Sequence, residues 1–244
     1  MLKRAVIKLS GEAIGSENGY DDAVINSIVN QIVQVTQAGT QVALVVGGGN
    51  YWRGRQACPE MDRVKADQMG MLATVMNALY LADFFRRCGK NAKVVTPIVI
   101  GNFTSLYDKE SASEMLANGT VLINAAGLGH PMFSTDTITA LRAAELEADC
   151  ILFAKNTDGV YDDDPRKNKN ARKFQTLSYN SAICKNLNVA DMTALQLARD
   201  ASISSYVFEL NAQNSIIKAC NYPDVSDLNG TFINNNAEEK FYGH

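Results

Sequence analysis

Histidine is almost missing from this chain: of 244 residues, only His130 and His244 could supply an imidazole. That removes the basis for a histidine-built zinc site and for imidazole-driven acid–base catalysis. The five cysteines (Cys58, Cys88, Cys150, Cys184 and Cys220) are scattered and form no Cys-x-x-Cys pair. They read as free thiols in a reducing compartment, acting as small apolar residues. No Gly-x-x-x-x-Gly-Lys-Ser/Thr occurs, which excludes a Walker A nucleotide binder. A dinucleotide fingerprint fails too, because Trp52 and Met132 stand where the third glycine of Gly-x-Gly-x-x-Gly would fall. No run is apolar enough for a signal peptide or a bilayer span, so the expected location is cytoplasmic, with no membrane partner. Positive charge is not in excess either. A formal net charge of −3 argues against a general nucleic-acid binder, yet a few local cations suffice for a mononucleotide.

What remains is an ordinary globular composition, 46% apolar and 20% charged, sufficient for one large domain with a sizeable core. Apolar β-rich runs alternate with amphipathic helical runs. Strands are expected at Ala5–Leu9, Gln41–Val46, Ala92–Thr96, Thr120–Ala125, Cys150–Ala154 and Tyr206–Leu210. Helical spacing covers Asp21–Ala38, Met61–Cys88 (with an interruption expected at Gly70), Thr135–Ala148 and Asp191–Asp200. The alternation predicts a three-layer α/β/α sandwich with a mostly parallel central sheet. No repeat or low-complexity linker divides the chain, and the polar tail 234–244 reads as frayed.

In such a sheet, ligands gather at the carboxyl ends of the strands. Four loops at those ends have unusual composition. Lys8-Leu9-Ser10-Gly11-Glu12 puts a lysine inside an apolar strand. Its ammonium must reach water, a counter-charge or a bound phosphate. Gly47-Gly48-Gly49-Asn50 lets the backbone approach an anion closely, and Arg53 adds a planar fork suited to phosphate. The third loop, Gly127-Leu128-Gly129-His130-Pro131-Met132-Phe133-Ser134-Thr135-Asp136, leads into a helix N-terminus that favours an anion. One of Thr135 or Asp136 serves there as an ordinary helix cap. The fourth, from Asn156 through Tyr161 to Asp164, offers a ring to pack on a base and a carboxylate for a ribose hydroxyl. Its acidic run is equally a solvated turn. The Met-rich run Met69–Met76 reads as core packing.

Taken in order, these loops resemble the amino acid kinase family, from about residue 3 to 233. Leu9-Ser10-Gly11-Glu12, Gly47–Asn50 with Arg53-Gly54, and Asp158-Gly159-Val160-Tyr161 with Asp164-Pro165 carry the likeness. Met69–Asn77, with Asp67 before it, is similar to the branch that phosphorylates UMP. The resemblance implies a single kinase domain, with an acceptor part about 1–150 and an ATP part about 151–233. It implies ATP contacts from Lys8, Leu9, Ser10, Gly11, Gly49, Arg53, Asn156 (or Lys155), Tyr161 and Asp164. It implies a UMP pocket from Gly48, Asp67 and Leu128, Gly129, His130, Pro131, Met132, Phe133, Ser134 and Thr135. Lys8 and Asp136 would be catalytic, and Mg²⁺ would enter on the ATP phosphates. A homohexamer and GTP or UTP effectors are further expectations of the resemblance.

Overall fold

The protein is described by a computed structural model over residues 1–17, 19–54, 57–221 and 229–243; His244 lies outside these described residues. The first half runs β1 (Arg4–Leu9), α1 (Gly11–Ile14), β2 (Gly15–Ser16), β3 (Gly19–Tyr20), α2 (Asp22–Gln37), β4 (Gln41–Val46), α3 (Arg63–Arg87), β5 (Ala92–Thr96), β6 (Ser105–Leu106), α4 (Lys109–Ala117) and β7 (Val121–Asn124). The second half runs α5 (Thr135–Glu145), β8 (Cys150–Lys155), β9 (Phe174–Ser178), α6 (Tyr179–Cys184), α7 (Met192–Asp200), β10 (Ser204–Glu209), α8 (Ser215–Cys220), β11 (Thr231–Asn234) and β12 (Lys240–Phe241).

One ten-stranded sheet takes the order β12-β9-β11-β10-β8-β1-β4-β7-β5-β6. Among the described residues of this sheet, β10 with β11 and β9 with β12 pair antiparallel and the other ladders are parallel. Side-chain alternation along each strand then sorts the core into two layers. Ala5, Ile7 and Leu9 of β1 join an apolar cluster with α2, α3 and α8. Val6 points the other way, into a cluster with α4, α5, α6 and α7. This is the expected three-layer sandwich. Strand period also fixes where Lys8 goes: it shares the face of Val6, beneath α5.

The helices begin where side chains can accept their orphan N–H groups. Asp21 caps α2, Asp62 caps α3 and Asp191 caps α7 through their carboxylates. The α2 helix stops before Gly39, which takes a left-handed φ of 105°. Several boundaries differ from the sequence reading. Gly70 does not interrupt α3, which stays continuous because Ala73, Asn77, Ala78, Leu81, Phe84 and Phe85 bury one side of it. Met69, Leu72 and Met76 face outward, at 42%, 55% and 51% exposure, so they are not the core packing the sequence suggested. The tail is not frayed. Residues 240–241 add the outer edge strand on β9.

The glycine triplet sits hard against α3. A β carbon on Gly48 would lie 2.8 Å from both the Ala73 β carbon and the Gly70 carbonyl oxygen. Gly48→Ala should therefore lower unfolding stability by about 1–3 kcal/mol in urea denaturation. Gly70→Ala, inside a helix and with only Trp52 within 4 Å of the added carbon, should be neutral or stabilising. Equal stability of the two variants would contradict the close approach.

Candidate active site

The centre of the site is an ion pair between two elements that only the fold brings together. Lys8 near the end of β1 and Asp136 in the first turn of α5 meet at 3.0 Å, with side chains 14% and 17% exposed. Asp136 Oδ1 is buried and, apart from this ion pair, has no hydrogen-bond partner. A buried carboxylate oxygen left in that state is suited to a further cationic group. Lys155 ends β8, the strand beside β1, in a register that pairs Leu9 with Ala154. By alternation it lies on the same sheet face as Lys8. Burial pushes the Lys155 ammonium below its usual range; Asp136 opposes that shift and Lys8 adds to it. One carboxylate and two ammonium groups therefore lie on one face at the carboxyl edge of the sheet, near enough to act on one another's charge.

Asp136 is held by a hydrogen-bond relay. Ser134 caps α5, its hydroxyl accepting the Asp136 N–H at 2.9 Å. The same hydroxyl donates to Asp191, as does Thr137 at 2.9 Å. Asp191 also accepts the Ala194 N–H at 2.9 Å, capping α7. One carboxylate thus fastens the starts of two helices to each other. Of the two cap candidates in the sequence reading, neither is the cap: Ser134 is, with Thr135 and Asp136 inside the first turn.

The first two glycine loops interlock. A β carbon on Gly11 would fall 2.6 Å from the Gly49 nitrogen and 2.7 Å from the Gly47 oxygen, so backbone lies against backbone here. Asn77 of α3 is fully buried and donates to the Gly47 carbonyl at 2.6 Å while pairing reciprocally with Asn50. Arg53 forms an ion pair with Glu12, bringing the cation beside Gly49. The Ser10 hydroxyl accepts the Ala13 N–H at 3.2 Å as the cap of α1.

The third loop carries unusual backbone. Ala126, Gly127, Gly129 and Met132 take φ values of 60°, 54°, 79° and 75°, and two of them are not glycine. Such a conformation persists only where neighbours enforce it. Thr74 of α3 accepts the Ala126 N–H at 2.7 Å, and Asp67 accepts the Met132 N–H at 3.0 Å. Asp67 also takes both contacts of the Arg63 Nε, at 2.9 and 3.0 Å. Leu128 rests on the core beneath, whereas Met132 and Phe133 are 64% and 52% exposed, beside exposed His130 and half-buried Pro131.

Beyond the end of β8, where Lys155 donates to the Asn188 carbonyl, lies a cleft of about 280 Å³, bounded by Tyr161, Asp162, Asp163 and Asp164 on one wall and Lys185–Asn188 on the other. Asp158 accepts from Tyr161 and Lys173, at 2.8 and 2.7 Å. Burial raises the Asp158 carboxyl, but these two donors outweigh it and hold it below its usual range. Burial, followed by the bond to Asp158, pushes the Tyr161 phenol up to about 12. Asn156 stays exposed at the end of β8, outside the lining of the cleft. Sequence reasoning missed Lys155 as a central cation, Asp191, Asn77 and the 185–188 wall. Lys155 left a readable signal, a lysine closing an apolar strand like Lys8, and Asp191 left one as the expected start of a helix.

Among the described residues, no three His, Cys, Asp or Glu side chains cluster to hold a metal. A magnesium ion carried on a triphosphate does not require such a cluster, and the buried Asp136 carboxylate, which has no partner for Oδ1 besides Lys8, fits one. No helix among the described residues is long and apolar enough to cross a membrane.

Comparisons with known proteins place the chain by family and fold. The model of the amino acid kinase family matches residues 3–209. The fold superposes on the crystal structure of UMP kinase from Bacillus anthracis with a TM-score of 0.93 and 34% identity, covering 99% of each chain. A second similar structure, UMP kinase from Ureaplasma parvum, gives a TM-score of 0.86 and 34% identity over 96% of this chain and 99% of that one. With a family match over most of its length and a shared fold from end to end, the chain belongs to the amino acid kinase family.

Proposed function

We propose that this chain transfers the γ-phosphoryl group of ATP to UMP, giving UDP and ADP. The observation that carries the reading is the strand order: β1, which bears Lys8, lies between β8, whose loop runs on to the Tyr161–Asp164 cleft, and β4-β7, the last of which leads into the strained 126–132 loop. That both similar structures are UMP kinases supports it. In this reading the adenosine occupies the cleft against Tyr161, with Asp164 on the ribose and Asn156 at the rim. The triphosphate runs past Lys155 towards Lys8, Leu9, Ser10, Gly11 and Gly49. UMP lies on Gly48 and the loop Leu128–Thr135, its phosphate near the N-terminus of α5. Asp67 both anchors that loop and faces the ribose. Leu128 and Ser134 contribute through their backbone, because Leu128 sits on the core and the Ser134 hydroxyl is engaged with Asp191.

The chemistry asks little of proton transfer. A phosphate monoester with a second pKa of about 6 is largely dianionic at neutral pH, so the acceptor oxygen needs no general base. What must be supplied is alignment and positive charge around a loose, metaphosphate-like transition state. Lys8 and Lys155 supply two cations, Asp136 orients the first, and the glycine-loop amides add aligned dipoles. Mg²⁺, when bound on the phosphates near Asp136, would neutralise further charge. Arg53, released from Glu12, is positioned to reach a phosphate.

The reading extends to a place in pyrimidine nucleotide synthesis in the cytoplasm. It also includes a homohexamer with GTP or UTP as effectors. The outward stripe Met69, Leu72 and Met76 supports self-association, since apolar side chains in such a row favour cover by another surface.

An ADP-release assay with MgATP should show turnover with UMP and little with CMP, dUMP, carbamate or N-acetylglutamate; turnover on a carboxylate or carbamate would discard the acceptor pocket. Lys8→Ala should lower kcat by about 100- to 1,000-fold with the KM for UMP nearly unchanged. Near-normal turnover would remove Lys8 from the mechanism. The burial-lowered Lys155 must be protonated to act, so its contribution is present at neutral pH and lost as pH rises through its depressed value. The kcat/KM for MgATP should therefore fall on an alkaline limb below the ordinary lysine value of 10.5. Lys155→Arg should move that limb upward, and an unchanged profile would exclude Lys155.

A further inference from the structure

The chain beyond Asn236 is bound to the donor cleft by three separate routes. The strand β12 lies antiparallel on β9, Phe241 opposite Phe174, with their rings stacked at 4.3 Å. Thr176 of β9 donates its hydroxyl to the Glu238 carbonyl at 2.6 Å.

From this edge the first route goes through Glu239, which pairs with Lys185 at 2.5 Å; Lys185 belongs to one wall of the cleft. The second goes through Phe241, whose ring lies under the Arg172 guanidinium at 4.0 Å. Arg172 donates its own N–H and its Nε to the Asp162 carboxylate, at 2.7 and 3.1 Å, and Asp162 belongs to the opposite wall. The third goes through Tyr242. Its N–H donates to the Lys173 carbonyl at 3.0 Å, and the Lys173 ammonium sits 4.5 Å from its ring centre. Lys173 in turn donates to Asp158, which accepts the Tyr161 hydroxyl. The Tyr242 hydroxyl donates to the Gly230 carbonyl at 2.7 Å, which closes the strap on β11's approach.

Each route ends on a residue that lines the donor cleft or fixes one that does. No route described here reaches the 126–132 loop or Asp67. We infer that residues 238–242 are a positioning strap for the nucleotide donor, fixing the separation of the Tyr161–Asp164 and Lys185–Asn188 walls and so the affinity for the adenosine end of ATP. The inference rests on the reading of that cleft as the ATP site. Exposed ion pairs taken singly contribute little. Here the pairs act together with a stacked ring and an edge ladder, so their effect is expected from the set and not from one member.

The test uses the intact chain, a chain stopped after Asn236, and the full-length double variant Glu239→Gln with Tyr242→Ala. Calorimetric titration of ATP into the intact protein comes first, because failure to bind would overturn the cleft assignment along with the strap. With binding established, the shortened chain should raise the KM for MgATP about tenfold, and the double variant less. The KM for UMP and kcat should stay within about twofold of the intact enzyme. That split separates positioning from general loss of the sheet edge, which would lower active enzyme without favouring one substrate. An unchanged KM for MgATP in both variants would overturn the strap while leaving the cleft assignment standing. A parallel loss of kcat, both KM values and melting temperature would also overturn it. The double variant carries the same test should the shortened chain fail to fold.

Discussion

A lysine set into an apolar parallel strand has to find something to do with its ammonium. At Lys8, the strand period turns the side chain under α5, and Asp136 meets it at 3.0 Å. Much of the surrounding structure secures the two ends of that contact. The β1 backbone is fixed on both sides by parallel ladders to β4 and β8. The start of α5 is fixed by Ser134, which Asp191 fastens to α7. Because the pair is partly buried, its interaction is weakly screened. In the proposed mechanism it can therefore fix where the phosphoryl group sits.

Around that contact the molecule divides into two sides. On the side proposed for the donor, Lys155 at the sheet edge donates to the Asn188 carbonyl in the cleft lining. On the side proposed for the acceptor, four residues from Ala126 to Met132 take left-handed conformations, and the two ends of that stretch are held by Thr74 and Asp67, both from α3. The same helix fixes the glycine triplet through Asn77. One face of α3 thus supports both loops, while Met69, Leu72 and Met76 on its other face remain open.

Much of this was legible in the sequence, for stated physical reasons. Lys8 stood out because it breaks an apolar run, the glycine triplet because few other needs explain three in a row, and the layer order because strands and helices alternate. The remainder depended on register and distance. That Lys155 shares a face with Lys8 follows from the pairing of Leu9 with Ala154, which no local pattern encodes. The 185–188 wall has no compositional mark. Asp191 marks the expected start of a helix, and it caps one, but its second function depends on α5 lying beside α7. The helix α3 is apolar on more than one side, so periodicity could not say which methionines face outward. The tail looked polar because Phe241 and Tyr242 are few among many hydrophilic neighbours.

The most direct test of the account is a double-mutant cycle on kcat with Lys8→Ala, Asp136→Asn and the two combined. If Asp136 acts largely by holding Lys8 at the transferring phosphoryl group, the combined variant should be little slower than Lys8→Ala alone. Losses that multiply, each residue contributing its full factor independently of the other, would contradict the claim that the two work as one unit.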